Sequence, residues 1–249
     1  MSFAATIRFE TLNELTNSIY FNMASLKVIS NNPVKKTRAR STGEKEQKRN
    51  SLLNSALDLF TRHGYQGTSI EMITENAGVS TGTFYLYFKN KVEVYRILNT
   101  KGAEILQNLI EEAISWPGMT PLAQLTAVAS AFFRFYSEYR GYYDILSVLN
   151  IGQMDFLKKK DMLEPLEKQT INLLKLIESI LKKGIEVGEL RQLDTWKATN
   201  ALWGMMDGII LLEIRQNMSM IGNSVDELFK QGLEIVFNGL IEHEKGKTT

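Results

Sequence analysis

Apolar residues recur at intervals of three and four along most of this chain, the spacing that gives an α-helix one apolar face. Segments in which apolar and polar residues alternate, as they do in a half-buried strand, are scarce. Prolines, which end or kink helices, occur at only four places, Pro33, Pro117, Pro121 and Pro165. The sequence therefore predicts an all-α protein built from long helices.

The composition excludes several classes of protein. Of the 249 residues, 44% are apolar and 23% are charged, which is the balance of a globular chain that buries a sizeable core. Cysteine is absent, so we expect no disulfides and no thiolate metal site, and a reducing cytoplasmic location is consistent with this. No apolar run approaches the roughly 20 residues of a membrane helix. Charged residues also interrupt any signal peptide, at Arg8, Glu10 and Glu14.

A basic segment is joined to an acidic one. Residues 35–96 hold eleven Lys and Arg and six Asp and Glu, a net charge of +5, whereas residues 97–249 sum to −4. This asymmetry suggests one surface that attracts polyanions and another that does not. Chance is the alternative, since four of the five excess charges lie in the short run Lys35–Arg40.

Residues 1–43 are predicted to form an N-terminal extension. Thr11 and Glu14 have the spacing of a capping box, so a short helix is expected to begin there. The second part, residues 30–43, is polar and basic and is expected to be a flexible arm. Met23 is an alternative start, in which case the residues before it do not belong to the protein.

Two helices are predicted after this extension. The first spans residues 46–63, and Gly64 follows at the position where a left-handed residue commonly ends a helix. Thr68 and Glu71 then have the spacing of a capping box that opens a second helix.

A third, short helix is expected from Ser80 to about Phe88, after Gly78 has ended the second. This arrangement is that of a helix-turn-helix: a first helix is followed by two short helices, which a glycine-containing turn joins. We therefore predict a three-helix helix-turn-helix DNA-binding domain at residues 44–92. A larger C-terminal helical domain, for ligand binding and dimerisation, is predicted at residues 93–249.

The third helix begins with small residues that suit the DNA major groove. A helix that reads base edges needs small, hydrogen-bonding groups at its leading end, because bulky side chains hold the backbone away from the bases. A glycine inside a helix costs up to about 1 kcal/mol relative to alanine, and close approach to DNA is a reason to accept that cost. The residues are Ser80, Thr81, Gly82 and Thr83.

Aromatic and basic residues complete this segment. Phe84 and Phe88 are four residues apart, share one face and are expected to pack inward. The hydroxyls of Tyr85 and Tyr87 can reach phosphate oxygens while their rings pack on the scaffold. Lys91, at the start of the next helix, can neutralise the same phosphates. The alternative is an aromatic plug that holds short helices together, with incidental lysines.

Residues 46–95 resemble the DNA-binding domain of the TetR family of bacterial transcriptional regulators. The resemblance implies that operator DNA is bound by a homodimer and that a small molecule bound in the C-terminal domain releases it, with repression as the commoner mode. The DNA-contacting positions it implies are Ser69, Ser80, Thr81, Gly82, Thr83, Tyr85, Tyr87 and Lys91. The matching residues are Ala56, Phe60, Gly64, Tyr65, Gly67, Thr68, Ser69, Ile73, Ala77, Gly78, Val79, Ser80, Gly82, Phe84, Tyr85, Tyr87, Phe88, Lys89, Asn90 and Lys91.

The basic residues before and within the first helix offer a further DNA contact. They can reach the minor groove or phosphates. A solvated linker is the equal alternative. The residues are Arg38, Arg40, Lys45 and Arg49.

The C-terminal domain is predicted to contain six helices. Gly141 is expected to separate two of them, and Gly184 with Gly188 to close a long one. Asp194 or Thr195 is expected to cap the next helix. The expected spans are about 91–115, 121–139, a short helix ending near 149, 161–185, 195–218 and 224–243.

The last two helices, about 195–218 and 224–243, are predicted to form a dimer interface. Gly204 and Gly208 are four residues apart and allow a neighbouring helix to approach closely. The final helix carries more apolar surface than it needs for packing on one side against its own protomer. A four-helix bundle across a two-fold axis is therefore expected. Closure of a monomer core is the alternative.

Aromatic residues of the C-terminal domain are candidates for a ligand pocket. The resemblance implies such a pocket, and the fourth helix would couple it to the DNA-binding domain. Ordinary core packing is the alternative for each residue. The candidates are Phe132, Phe133, Tyr136, Tyr139, Tyr143, Trp203 and Met206.

Catalysis is not expected. The two histidines, His63 and His243, have no metal-ligand spacing, and no glycine-rich phosphate loop or nucleophile elbow is present. Asp207 is the one tempting carboxylate, and a capping or ligand-binding role suits it better. We expect no metal and no cofactor. The alternatives to a repressor are a transcriptional activator and a helical ligand-binding or interaction protein without operator-specific DNA binding.

Overall fold

A computed structural model of the protein describes residues 39–147, 160–215 and 222–241. Within these ranges every regular element is a helix, which confirms the all-α prediction, and one isolated bridge pairs Leu190 with Ile241. No helix in these ranges is long and apolar enough to cross a membrane. The short helix expected near Thr11 lies outside the described residues. The helices are α1 (Ala39–His63), α2 (Ile70–Asn76), α3 (Thr81–Tyr85), α4 (Lys91–Ile114), α5 (Pro121–Glu138), α6 (Arg140–Leu146), α7 (Lys160–Glu186), α8 (Thr195–Ile214) and α9 (Val225–Leu240).

The described residues fall into two compact units. The N-terminal unit contains residues 39–106, 137–147 and 160–169, and the C-terminal unit contains the rest. Helices α4, α5 and α7 each contribute residues to both units. The domain boundaries expected after residues 43 and 92 stay predictions.

Aromatic rings form the centre of the N-terminal unit. Phe60, Tyr65 and Tyr95 contact one another with ring centroids 5.2–5.5 Å apart. The Tyr95 hydroxyl donates a hydrogen bond of 3.1 Å to the carbonyl of Ile145, which ties α6 to α4. Burial raises the pKa of both Tyr65 and Tyr95 to about 12, so both hydroxyls stay neutral at ordinary pH.

Helix α1 begins at Ala39, seven residues before the expected start at Glu46, so the end of the supposed flexible arm is helical. The segment 43–48 is exposed on all sides, and Arg49 lies over the Phe88 ring with its guanidinium carbon 5.5 Å from the centroid. The prediction failed here because an all-polar helix has no apolar periodicity from which to recognise it.

The cap of α2 lies one residue later than predicted. Ser69, not Thr68, is the N-cap, and its hydroxyl oxygen accepts from the amide of Met72 at 3.2 Å. The Thr68 hydroxyl is buried instead within 3.1 Å of the Leu59 carbonyl and 2.8 Å of the Gly64 carbonyl. The Thr68 side chain therefore stabilises the C-terminal end of α1. Because its hydroxyl is engaged there, the next residue, Ser69, caps α2.

The turn between α2 and α3 depends on Gly78. This residue has φ +66°, and its amide donates to the Glu75 carbonyl at 3.0 Å. The Val79 amide donates to the Thr74 carbonyl at 2.9 Å, which completes a Schellman motif. The predicted glycine turn is confirmed, and Gly64, with φ +70°, ends α1 as expected.

Two glycines expected to break helices instead lie inside them. Gly141 is the second residue of α6, and a Cβ built there would lie 3.3 Å from Leu57 Cγ of α1. Gly184 lies within α7, where a Cβ would meet Leu190 Cδ1 at 2.5 Å. Both positions need a missing side chain for close packing, whereas Gly188, with φ +74°, does end α7.

Helices α8 and α9 pack on each other in the C-terminal unit. A Cβ at Gly232 of α9 would lie 2.7 Å from the sulfur of Met205 in α8, so the crossing is close. The Ser224–Glu227 capping box opens α9 as predicted. At the other end of α9, the Arg191 side chain donates to the Gly239 carbonyl at 2.5 Å.

Candidate DNA interface

Ser80 fixes the first turn of α3. Its hydroxyl oxygen accepts from the Thr83 amide at 3.3 Å and lies 2.9 Å from the Thr83 hydroxyl oxygen. Ser80 is exposed, and Thr83 is half-buried. The leading end of α3 therefore presents hydroxyl groups that are held in place by the helix's own cap.

Two buried phenylalanines anchor α3 to the N-terminal unit. Phe84 and Phe88 are fully or almost fully buried, with ring centroids 5.5 Å apart, which confirms that they pack inward. Tyr85 packs edge-on against Phe84 at 5.4 Å yet leaves 57% of its surface exposed. Tyr87 is half-buried, and its ring centroid lies 6.4 Å from that of Phe88. The anchors thus hold both tyrosine rings in defined positions at the surface.

Nothing among the described residues requires glycine at position 82. Gly82 is exposed, and a Cβ built there would contact only the Ser80 hydroxyl oxygen, at 3.8 Å. That distance is an ordinary van der Waals contact. Packing among the described residues therefore does not explain why this position lacks a side chain.

Ser69 and Thr81 connect the two short helices to their surroundings. Ser69 is half-buried and caps α2. Hydrogen bonds from the backbone amide of Glu71 itself and from the Ser69 hydroxyl hold the pKa of Glu71 below its usual value. The Thr81 hydroxyl oxygen lies 3.5 Å from that of Thr74 in α2. The predicted residues Ser69 and Thr81 therefore support the helix-turn-helix as well as standing at its surface.

The Lys91 side chain turns back onto the protein. Its Nζ donates to the Tyr65 carbonyl at 2.7 Å and to the Thr68 carbonyl at 2.5 Å, and it lies 4.2 Å from the centroid of the Tyr65 ring. Burial lowers the pKa of Lys91. An ammonium has three N–H donors, so these two bonds leave one for a phosphate oxygen. Lys91 therefore holds the loop before α2, a role that the sequence did not reveal.

Residues 52–96, from α1 to the start of α4, match the family model described as bacterial regulatory proteins, tetR family. The match covers all of α2 and α3 and the turn that joins them. This match assigns residues 52–96 to the DNA-binding domain of the TetR family.

Full-length relatives support this assignment. The fatty acid metabolism regulator protein of Bacillus subtilis is 26% identical over 196 residues, 76% of this chain and 97% of the relative. Among solved structures, FadR of Bacillus subtilis in complex with stearoyl-CoA has a TM-score of 0.62 and 24% identity over 76% of this chain and 97% of that one. A regulator of Saccharomonospora viridis in complex with choline has a TM-score of 0.70 and 16% identity, and covers 80% and 100%. These likenesses show the same helical fold.

This match and these relatives confirm the predicted class of function, a transcriptional regulator. Proteins of this family are transcriptional regulators rather than enzymes, and they bind DNA operators as dimers and respond to small molecules.

The candidate ligand residues divide between the two units of the chain. In the C-terminal unit, Phe132 lies 4.8 Å from Trp203 and Phe133 lies 4.9 Å from Phe229, measured between ring centroids. The Tyr136 hydroxyl donates to the carboxylate of Glu213, and Met206 is fully buried. The two remaining candidates belong to the N-terminal unit, at Tyr139 and Tyr143.

Sequence reasoning missed one exposed residue of α3. Leu86 is the C-cap of the helix, and 80% of its surface is exposed, more than any other large apolar residue in the described ranges. Its position midway between the inward Phe84 and Phe88 could have signalled this, because two residues correspond to about 200° of a helix.

Proposed function

We propose that the protein binds a pseudo-palindromic DNA operator as a homodimer, represses the adjacent genes and is released by a small-molecule effector. The exposed, hydroxyl-rich start of α3 supports this most directly. Two copies of α3 about 34–36 Å apart would enter successive major grooves, and one copy alone makes too few contacts for strong sequence choice.

The proposed roles follow from exposure and chemistry. Ser80, Thr81 and Thr83 offer hydroxyl groups to base edges, and Gly82 allows the backbone to approach them. The four remaining residues are proposed to contact phosphates, because each has a polar group that the surrounding protein holds in a fixed position. These are Ser69, Tyr85, Tyr87 and Lys91.

The proposed dimer forms through α8 and α9. In α8, a Cβ at Gly204 or Gly208 would meet no described residue within 4 Å, so these glycines have no packing role in the part of the protomer that the structure describes. In α9, Ile235 is 65% exposed, opposite the buried face that contains Phe229 and Leu233. Open glycines and an exposed isoleucine on paired helices suit a second copy packed across a two-fold axis.

The proposed effector is a long-chain acyl-CoA. The name of the Bacillus subtilis relative and the stearoyl-CoA held by a protein of the same fold support this class. The aromatic residues of α5, α8 and α9 provide apolar surface of the kind that an acyl chain needs. Binding would shift the population away from the dimer spacing that fits DNA.

The test begins with selection of DNA sites from a random pool by the purified protein. Fluorescence anisotropy should then give tight, salt-sensitive binding to a two-fold site and weak binding to a scrambled one. Stearoyl-CoA should release the DNA, whereas CoA alone and choline should not. Binding that ignores sequence would contradict the operator proposal, and unchanged binding with stearoyl-CoA would contradict the effector proposal. A promoter fusion separates repression from activation.

A further inference from the structure

Leu86 has no packing role within the described protein. It follows α3 with φ −74° and ψ −21°, and its amide donates to the Thr83 carbonyl at 3.2 Å. The backbone is thus held in helical geometry, and the buried Phe84 and Phe88 on either side fix the direction in which Leu86 points. A single exposed leucine is ordinary on most surfaces. This one lies within the proposed DNA-contacting segment, between Tyr85 and Tyr87.

The chemistry of Leu86 narrows what it can contact on DNA. Its side chain has neither a donor nor an acceptor, so it cannot bind a phosphate or the hydrogen-bonding edge of a base. The major groove offers one apolar group on the base edges, the C5 methyl of thymine. A leucine that is held outward among polar contacts therefore matches a thymine and not the other three bases.

We propose that Leu86 is a specificity-determining residue that recognises the C5 methyl of a thymine in each operator half-site. This inference rests on the proposed function, because it needs α3 in the major groove. Leu86 is absent from the contact positions implied by the family resemblance. It would add a preference for thymine to the hydrogen bonds that the hydroxyls of Ser80 and Thr83 are proposed to make with base edges.

The test replaces thymine by deoxyuridine, which removes only the methyl group. Each thymine of the selected operator is replaced in both half-sites at once, and affinity is measured with the wild-type protein and with Leu86→Ala. Loss of one buried methyl corresponds to about 0.8 kcal/mol, or about fourfold per half-site and about fifteenfold for the two-fold site. We expect one position to show this loss with wild type and to show none with Leu86→Ala.

Controls separate the methyl contact from other effects. Leu86→Met keeps an apolar side chain and should keep the sensitivity to deoxyuridine. Thr83→Ser removes one of the two threonine methyl groups of α3 and keeps the hydroxyl, and Trp116→Ala removes an exposed aromatic residue outside α3. Both should respond to deoxyuridine as wild type does. Thermal unfolding of Leu86→Ala should match wild type, because the side chain is exposed.

Each outcome has a separate meaning. The inference is overturned if wild type tolerates deoxyuridine at every position, or if Leu86→Ala retains the full sensitivity. It is also overturned if Thr83→Ser, rather than Leu86→Ala, abolishes the sensitivity. Failure of wild type to select any DNA site would instead contradict the proposed function, as well as the inference that rests on it.

Discussion

Replacing Gly82 by alanine should stabilise the protein and weaken its binding to DNA. The stability gain arises because alanine restricts the unfolded chain and favours the helix by about 0.4–1 kcal/mol. Among the described residues the new Cβ would meet only the Ser80 hydroxyl oxygen, at 3.8 Å, which is an ordinary contact without a steric cost. For a chain of this size the melting temperature should rise by about 1–4 °C.

The same substitution should weaken DNA binding although it stabilises the protein, because the added methyl group lies on the protein surface. If the backbone of Gly82 approaches the bases, an added methyl overpacks that contact at a cost of about 1–3 kcal/mol. One half-site should then lose about fivefold or more in affinity, and a two-fold operator should lose the square of that factor.

The assays are thermal unfolding followed by circular dichroism and operator binding followed by anisotropy at fixed salt. Asn172→Ala, on the exposed side of α7, is the matched control, because it raises helix propensity away from α3. It should stabilise the protein and leave DNA affinity unchanged. If Gly82→Ala binds the operator as tightly as wild type, close approach of this backbone to DNA is refuted.

Four further perturbations test the other parts of the structure. Tyr85→Ala should weaken operator binding while the protein stays folded and dimeric by gel filtration, and unchanged affinity would remove Tyr85 from the interface. Lys91→Met should lower the free energy of unfolding in urea by about 1–3 kcal/mol, since two carbonyls lose their donor, and should reduce the salt slope of DNA binding by about 1. An unchanged slope would leave Lys91 as a purely structural residue. Gly204→Ala should weaken dimerisation measured by sedimentation, whereas a tighter or equal dimer would place this face outside the interface. Because the pKa values of Tyr65 and Tyr95 are raised from 10.0 to about 12, their contribution to stability is complete below pH 10 and should be lost as the pH rises to 12. Urea unfolding across that range checks this, and Tyr95→Phe should flatten the decline.

Close-range signals made most helices predictable. A left-handed glycine, a capping serine and a three-four apolar repeat each act within a few residues, so their effect is readable without knowledge of the fold. Gly78 and the Ser224–Glu227 box behaved as the sequence indicated. The family resemblance of residues 46–95 was readable for the same reason, since it lies in one continuous segment.

Glycines whose partners are distant in sequence were misread. Gly141 and Gly184 have the same local signature as a helix break, but each lies within a helix where a neighbouring side chain fills the space of the missing Cβ. Thr68 likewise has the local signature of a cap, yet its hydroxyl secures the preceding helix. Local sequence cannot distinguish these uses, because the deciding atoms belong to other helices or turns.

The sequence by itself determined the helical class, the helix-turn-helix and the small hydroxyl residues at the start of α3, because these depend on spacing along the chain. Only the tertiary structure decided that Lys91 turns inward onto two carbonyls and that no neighbouring helix covers Leu86, which leaves 80% of its surface exposed. The physical reason is that a side chain's surroundings depend on which surfaces meet after folding. A lysine can therefore be drawn inward and a leucine left exposed, against the usual preference of each residue type.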